Sequence, residues 1–289
     1  MSDEVTEPRP GEALTKEEIR SATEAPPAGE KRKNAFTSLM APKKRPSSPS
    51  SPRRSTGGNP FKDRMGLGAY LEDPASLPAS VVIAHNADFV VIHDKFPKAT
   101  VHALVLPRSP AARLRHPFDA LADPAFLASV RAQVAGTRAL VAAELQRQLG
   151  RDSAAEAARQ AALDGDGDGD GDGDGDGGGL PPGRDWAAEV LCGVHAVPSM
   201  SHLHVHVLSR DMRSSRLRHR KHYNSFATPF LVDLDDFPLA ADDPRRDPER
   251  TRAYLREDLR CWRCGRSFGS SFARLKEHLE AEFDEWRRE

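Results

Sequence analysis

The chain has 289 residues, of which 38% are hydrophobic and 44 are glycine or proline (21 and 23). It is long enough for a real core but too polar to pack throughout, so one or two domains with unfolded segments are expected. The net charge of -1 hides a mosaic: residues 1–30 carry eight acids and three bases, residues 31–60 eight bases and no acid. The polar start excludes a signal peptide, the lack of an apolar run near ~18 residues excludes a membrane helix, and three cysteines without a secretion signal argue against a disulfide scaffold.

Residues 1–58 read as a disordered tail with basic clusters. Lys31–Lys33 and Pro42–Pro46 (PKKRP) fit a nuclear import signal; the alternative is a solvated basic tail touching nucleic acid. Phe36 and Met40, four apart, form either a docking segment or a chance apolar pair. Order is expected from Asn59. Met65–Pro74 reads as a short helix ending at Asp73-Pro74. Val81–Ile83 and Phe89–Ile92 flank His85-Asn86-Ala87-Asp88 as a hairpin, and Thr100–Pro107 is a third strand. Asp123-Pro124 opens a helix as N-cap and first residue; Phe126, Val130, Val134, Val141 and Leu145 give it one apolar stripe.

A disordered insert is expected over about 150–183, centred on an Asp-Gly repeat from Asp164. The repeat imitates the start of a calcium loop, but its twelfth position is Gly175 rather than Glu. Strands resume at Ala188–His195 and His202–Leu208. The folded unit is thus expected over 59–240, and Ala241–Arg250 reads as a linker to a small C-terminal module, 241–289.

His202-Leu203-His204-Val205-His206-Val207-Leu208 carries the most information. Alternate strand residues share a face, so three imidazoles project one way and Leu203, Val205 and Val207 the other. Such a row serves either a metal or phosphoryl transfer by an attacking imidazole. The preceding run, Gly193 to Ser201, offers Pro198, Ser199, Ser201 and backbone N–H groups but no acid to orient a metal-bound histidine, which favours phosphate. Downstream, Arg210, Arg213, Arg216, Arg218, Arg220 and Lys221 face a single acid, Asp211, and suit a nucleic-acid backbone or a solvated loop. The spacing Cys261-x2-Cys264-x13-His278-x3-Glu282 is close to a Cys₂His₂ finger with Glu282 in place of the last histidine. Zinc is expected there, with Phe268, Phe272 and Leu275 as a small core.

HLHVHVL resembles the signature of the histidine triad (HIT) superfamily of nucleotide hydrolases and transferases. GVHAVPSMSHLHVHVLSRDM, HRKHYNSF, HDKFPKATVHALVLP and the terminal Cys-x2-Cys module together resemble its aprataxin branch, from roughly Asn59 onward. The resemblance implies an α+β fold: an antiparallel sheet with flanking helices plus a zinc module. It implies a nuclear DNA repair hydrolase that removes 5′-AMP from adenylated DNA 5′ ends and nicks through a covalent His-AMP intermediate. Zinc would be structural and catalysis metal-free, with AMP as product. RNA–DNA junctions remain open as substrates, and repair proteins would meet the N-terminal tail.

Residue by residue, His204 would be the nucleophile, His202 its orienter, and His206 the ligand of a non-bridging oxygen. His195 would act near the leaving group as acid or electrostatic stabiliser. Ser199 and Ser201 would hold phosphate, Asp94 the ribose, and Lys98, His102 and Lys221 the nucleotide and DNA 5′ end. Arg213, Arg216, Arg218 and Arg220 would bind DNA. Met65–Leu71 would supply an apolar wedge for the terminal base pair. His85, His93, His116, His219 and His222 receive no catalytic role. Two alternatives stand: a small-molecule HIT nucleotide hydrolase acting on AMP-amidates or dinucleoside polyphosphates, and a non-catalytic DNA-end-binding scaffold.

Overall fold

The computed structural model describes residues 64–164 and 179–289. The N-terminal tail with its basic clusters, and residues 165–178 of the Asp-Gly repeat, lie outside the described residues. In chain order the elements are α1 (Ala69–Glu72), β1 (Val82–His85), β2 (Phe89–His93), β3 (His102–Pro107), α2 (Pro117–Ala120), α3 (Pro124–Leu149), α4 (Ala154–Asp164), β4 (Val190–His195), β5 (Val205–Ser209), α5 (Arg220–Ala227), β6 (Leu231–Asp233), α6 (Pro248–Tyr254), β7 (Leu259–Arg260), β8 (Ser267–Gly269) and α7 (Phe272–Trp286).

Six strands form one sheet in the order β1-β2-β3-β5-β4-β6, and every adjacent pair is antiparallel. Its two faces have different fates. Val91, Val105, Val194, Val205 and Val207 are buried against α3, through Leu127, Val130, Val134, Val141 and Leu145. Asp123 caps α3 by accepting from the N–H groups of Ala125 (2.9 Å) and Phe126 (3.3 Å). The opposite face carries Val90, Ile92, Leu104 and Leu106 under Leu67, Tyr70 and Leu71. The apolar segment before the sheet therefore covers it: Leu67, Tyr70 and Leu71 are buried, while Met65 at its start is exposed.

Three expectations need correction. The insert is narrower than about 150–183, because Ala154–Asp164 is helical. Its sequence, AAEAARQAALD, is rich in strong helix formers. Trp186 Nε1 donates to Glu156 at 2.7 Å, and the Ala154 N–H to the Arg288 carbonyl at 2.9 Å, which ties the helix down. Nor is Ala241–Arg250 an open linker. Arg246 donates to the carbonyls of Leu239 (2.9 Å) and Ala240 (2.8 Å), Arg245 pairs with Asp243 at 2.8 Å, and α6 begins at Pro248. The third correction concerns β5, which starts at Val205, so His202 and His204 precede the strand.

The C-terminal module packs into the same body. Leu275 and Leu279 of α7 join Leu259, Cys261 and Phe268 in a cluster with Leu208, Met212 and Tyr223. Tyr223 stitches the seam: its hydroxyl donates to the Arg260 carbonyl at 2.7 Å and accepts from the Trp262 N–H at 2.9 Å. Further along, the Arg184 guanidinium stacks on both Trp186 (4.5 Å) and Trp286 (4.7 Å).

Candidate active site and zinc centre

A pocket opens on the sheet face opposite α3. Its walls include Leu67, Tyr70, Ile92, Asp94, Phe96, Lys98 and Leu104 on one side. His195, Ser199, Met200, His204, His206, His222, Ser225 and Phe226 form the other. Register explains the gathering: on β5, His206 lies opposite Leu104 of β3 and Gly193 of β4, two residues from His195. The rings of His206 and His195 are 4.4 Å apart, and those of His206 and His204 4.9 Å.

Hydrogen bonds fix which nitrogen of each imidazole carries a proton. His204 Nδ1 lies 2.8 Å from the His202 carbonyl. A carbonyl only accepts, so neutral His204 keeps its proton on Nδ1 and a lone pair on Nε2. The Lys98 N–H donates to His102 Nδ1 at 3.2 Å, which puts the His102 proton on Nε2. That proton faces His206 Nδ1 at 3.0 Å, with Asp94 Oδ2 farther off at 3.4 Å. His206 must then carry its own proton on Nε2. Among the described residues, His206 Nε2 and His195 Nε2 are buried without a hydrogen-bond partner. His195 bonds the Ser225 backbone through its other ring nitrogen, which keeps that nitrogen protonated and leaves Nε2 a lone pair, so the site holds the His204 lone pair and one unsatisfied N–H, that of His206.

Burial keeps these rings neutral. Desolvation, joined by repulsion from the neighbouring histidines and Lys98, holds His195 and His206 well below the ordinary value of 6.5. Burial lowers His204 too, with the His202 carbonyl and Asp94 opposing. His102 is pushed down to about 4, chiefly by burial. Asp94 is held low against its own burial by His102 and Lys98, and its Oδ1 accepts from the Phe96 N–H at 2.7 Å. Asp94, His102 and His206 also bring donor atoms within 4.8 Å of one another, a spacing a metal could use. The two ring nitrogens, however, share a proton across 3.0 Å, which spends them on each other.

Some expected residues sit elsewhere. The His202 imidazole is buried beside Gly68 and does not line the pocket; His202 meets His204 through its carbonyl. His102 has no exposed side-chain surface and backs His206. Ser199 reaches the pocket, whereas the Ser201 N–H is bound to the Arg64 carbonyl. Lys98 lines it and donates to the Phe96 carbonyl at 2.5 Å, but Lys221 is not among its walls. His222, given no catalytic role from the sequence, is 2% exposed and forms part of the wall. It lies four residues before Phe226 on α5, so the two share a helix face, a signal present in the sequence. Tyr70, Phe96, Met200 and Ser225 were given no site role of their own, although Phe96, Met200 and Ser225 fall inside the three family-like motifs and Tyr70 inside Met65–Leu71.

Arg213 pairs with Glu280 of α7 at 2.7 Å and stacks over Phe283 at 4.3 Å, so it braces the C-terminal module. Arg218 is exposed; Arg216, Arg220 and Lys221 are half-buried.

In the C-terminal module, Cys261, Cys264, His278 and Glu282 bring their donor atoms within 4.8 Å of one another. His278 Nε2 lies 3.2 Å from Cys264 Sγ and 3.1 Å from Glu282 Oε1. Ligands at ~2.0–2.3 Å from a tetrahedral zinc are separated by roughly 3.3–3.8 Å, so a small shift admits the ion. Two thiols, an imidazole and a carboxylate fit structural zinc, which would hold the β7–β8 turn onto α7.

The sheet, the neutral histidine cluster and the four-ligand module define a histidine-triad protein with an appended zinc finger. Residues 77–213 match the HIT domain family, and residues 227–285 the C2HE / C2H2 / C2HC zinc-binding finger. The aprataxin-like protein of Saccharomyces cerevisiae is 32% identical over 76% of this chain and 96% of its own. That of Schizosaccharomyces pombe is 30% identical over 89% and 95%. A solved aprataxin orthologue from Schizosaccharomyces pombe superposes with a TM-score of 0.59 at 28% identity, covering 76% of this chain and 92% of that one. An aprataxin orthologue in complex with DNA gives 0.58 at 29% identity, over 77% and 96%. The chain belongs to the aprataxin-like family.

Proposed function

We propose that the chain is a DNA repair hydrolase that removes AMP from adenylated DNA 5′ ends. One observation carries the chemistry: His204 is held as the Nδ1–H tautomer by the His202 carbonyl, beside the unsatisfied Nε2–H of His206. His204 Nε2 attacks the AMP phosphorus, forming a P–N bond and breaking the P–O bond to the DNA 5′-phosphate. The bridging oxygen leaves with the DNA as a 5′-phosphate. Water then attacks the same phosphorus, the P–N bond breaks, AMP departs, and the proton lost by water goes to solvent. His206 Nε2–H donates to a non-bridging oxygen. His195 Nε2 faces the pocket next to His206 and donates to the leaving phosphate once His195 takes up a proton, as general acid or electrostatic stabiliser. Ser199 supports the phosphate, and Asp94, an ionised acceptor at the rim, takes the ribose hydroxyls. No step in this scheme calls on a metal.

DNA is the proposed substrate because an orthologue's solved structure contains it and because Arg218, Arg220 and Lys221 lie on or beside the α5 start, within four residues of pocket residue His222. The basic clusters of the tail support a nuclear location and give repair partners a place to dock. The deciding experiment compares single-turnover release of AMP from adenylated nicked DNA with release from a small AMP ester. The reading requires strong preference for the nicked DNA. Equal rates would make the protein a small-molecule hydrolase; no release from either would make it a scaffold.

A further inference from the structure

The finger's ligand set poses a charge problem. Two thiolates and two imidazoles neutralise zinc; replacing one imidazole with the Glu282 carboxylate leaves one net negative charge on the centre. A carboxylate also has a second oxygen, free to swing or to chelate. Here Glu282 Oε1 faces His278, and the other oxygen, Oε2, accepts from Arg263 Nη1 at 2.6 Å. Arg263 sits between the two cysteines, and its Nη2 reaches Glu289 at 2.5 Å. The Glu282 side chain is 13% exposed and that of Arg263 30%, so solvent screens this contact less than an open surface pair.

We propose that Arg263 is a positioning residue for the zinc centre: it neutralises the extra charge of the carboxylate ligand and restrains its outer oxygen, leaving Oε1 for the metal. This rests on Cys261, Cys264, His278 and Glu282 being the ligands. The sequence position suits the task, since the loop that supplies both thiolates also delivers the guanidinium.

The test is zinc affinity of the full chain, measured with zinc alone against a chromophoric chelator. Arg263→Gln should weaken binding about tenfold, the size of effect that losing an outer hydrogen bond has at other zinc sites. Arg263→Lys, which restores the charge, should stay within about threefold of wild type. Arg263→Gln within twofold of wild type, or tighter, overturns the proposal; a tighter site would mean that the guanidinium competes with the metal for Glu282. Equal losses for Lys and Gln would overturn it too, assigning the effect to packing of the module. A wild-type chain that takes up no zinc would instead sink the ligand assignment itself.

Discussion

Gly68 lies against the His202 imidazole so closely that a Cβ on Gly68 would stand 2.9 Å from Cε1 and 3.0 Å from Nε2. The Gly68 backbone is helical, φ -58° and ψ -31°, so alanine is conformationally free to enter. Steric displacement of the ring is the main cost. Because the His202 carbonyl fixes the His204 tautomer, a push on His202 is felt at the nucleophile. Gly68→Ala should therefore lower the single-turnover rate about tenfold with DNA affinity nearly unchanged. A full rate in this variant would show that His202 yields without disturbing His204.

His204→Ala removes the attacking lone pair and leaves the His206 N–H donor in place. Turnover should fall at least ~100-fold while DNA affinity stays within a few-fold. Acid-labile AMP should be recoverable on wild-type protein quenched mid-reaction and absent from the variant. More than about a tenth of the wild-type rate would exclude His204 as nucleophile.

The buried histidines make stability pH-dependent, with a definite sign. His102, His195, His204, His206 and His222 all have folded values below 6.5, His102 at about 4 and His222 at about 2, mainly through desolvation. The unfolded chain binds protons first, so their contribution is complete above ~6.5 and is lost as pH falls toward the folded values. The melting temperature should drop steadily from pH 7 to pH 5, and less steeply in His102→Phe. A flat profile over that window would mean that the cluster is already protonated in the fold.

The Asp-Gly repeat and the helix before it should behave oppositely. Replacing residues 165–178 with a short Gly-Ser linker touches none of the described contacts and changes loop-closure entropy only slightly, by ~0.6 kcal/mol per doubling. Activity and melting temperature should hold. Glu156→Ala, by contrast, strips the partner from Trp186 Nε1, in a residue only 4% exposed. It should cost about 1–3 kcal/mol, read as a lower denaturation midpoint.

Local pattern carried the sheet and α3, because the continuous apolar run in TVHALVLP and the Asp-Pro start of α3 are local signals that tertiary packing reinforces. The histidine row was legible for the same reason. What escaped is non-local. Nothing in the spacing of His202, His204 and His206 says that the strand begins at Val205, or that His202 acts through its backbone. The roles of His102 and His222 depend on which neighbour each ring nitrogen meets across the sheet. Ala154–Asp164 was misjudged because the composition of the adjoining repeat was extended backward over a segment whose own residues favour helix.

The basic run after the triad divides by partner, and that division can be measured. Arg213 is engaged with Glu280 and Phe283, so its loss should loosen α7 from the catalytic body. Arg218 and Arg220 show no ion pair with a carboxylate among the described residues, and they stand at the start of the helix that carries pocket residue His222. Each phosphate that a cation neutralises adds about 0.9 to the slope of log affinity against log salt. Arg218→Ala and Arg220→Ala together should thus weaken binding to adenylated nicked DNA and flatten that slope by ~1–2, with the melting temperature nearly unchanged. Arg213→Ala should do the reverse: a lower melting temperature and a slope like that of wild type. If Arg213→Ala flattens the slope as much as the double variant, Arg213 leaves Glu280 to meet the phosphate backbone, and its bracing role holds only without DNA.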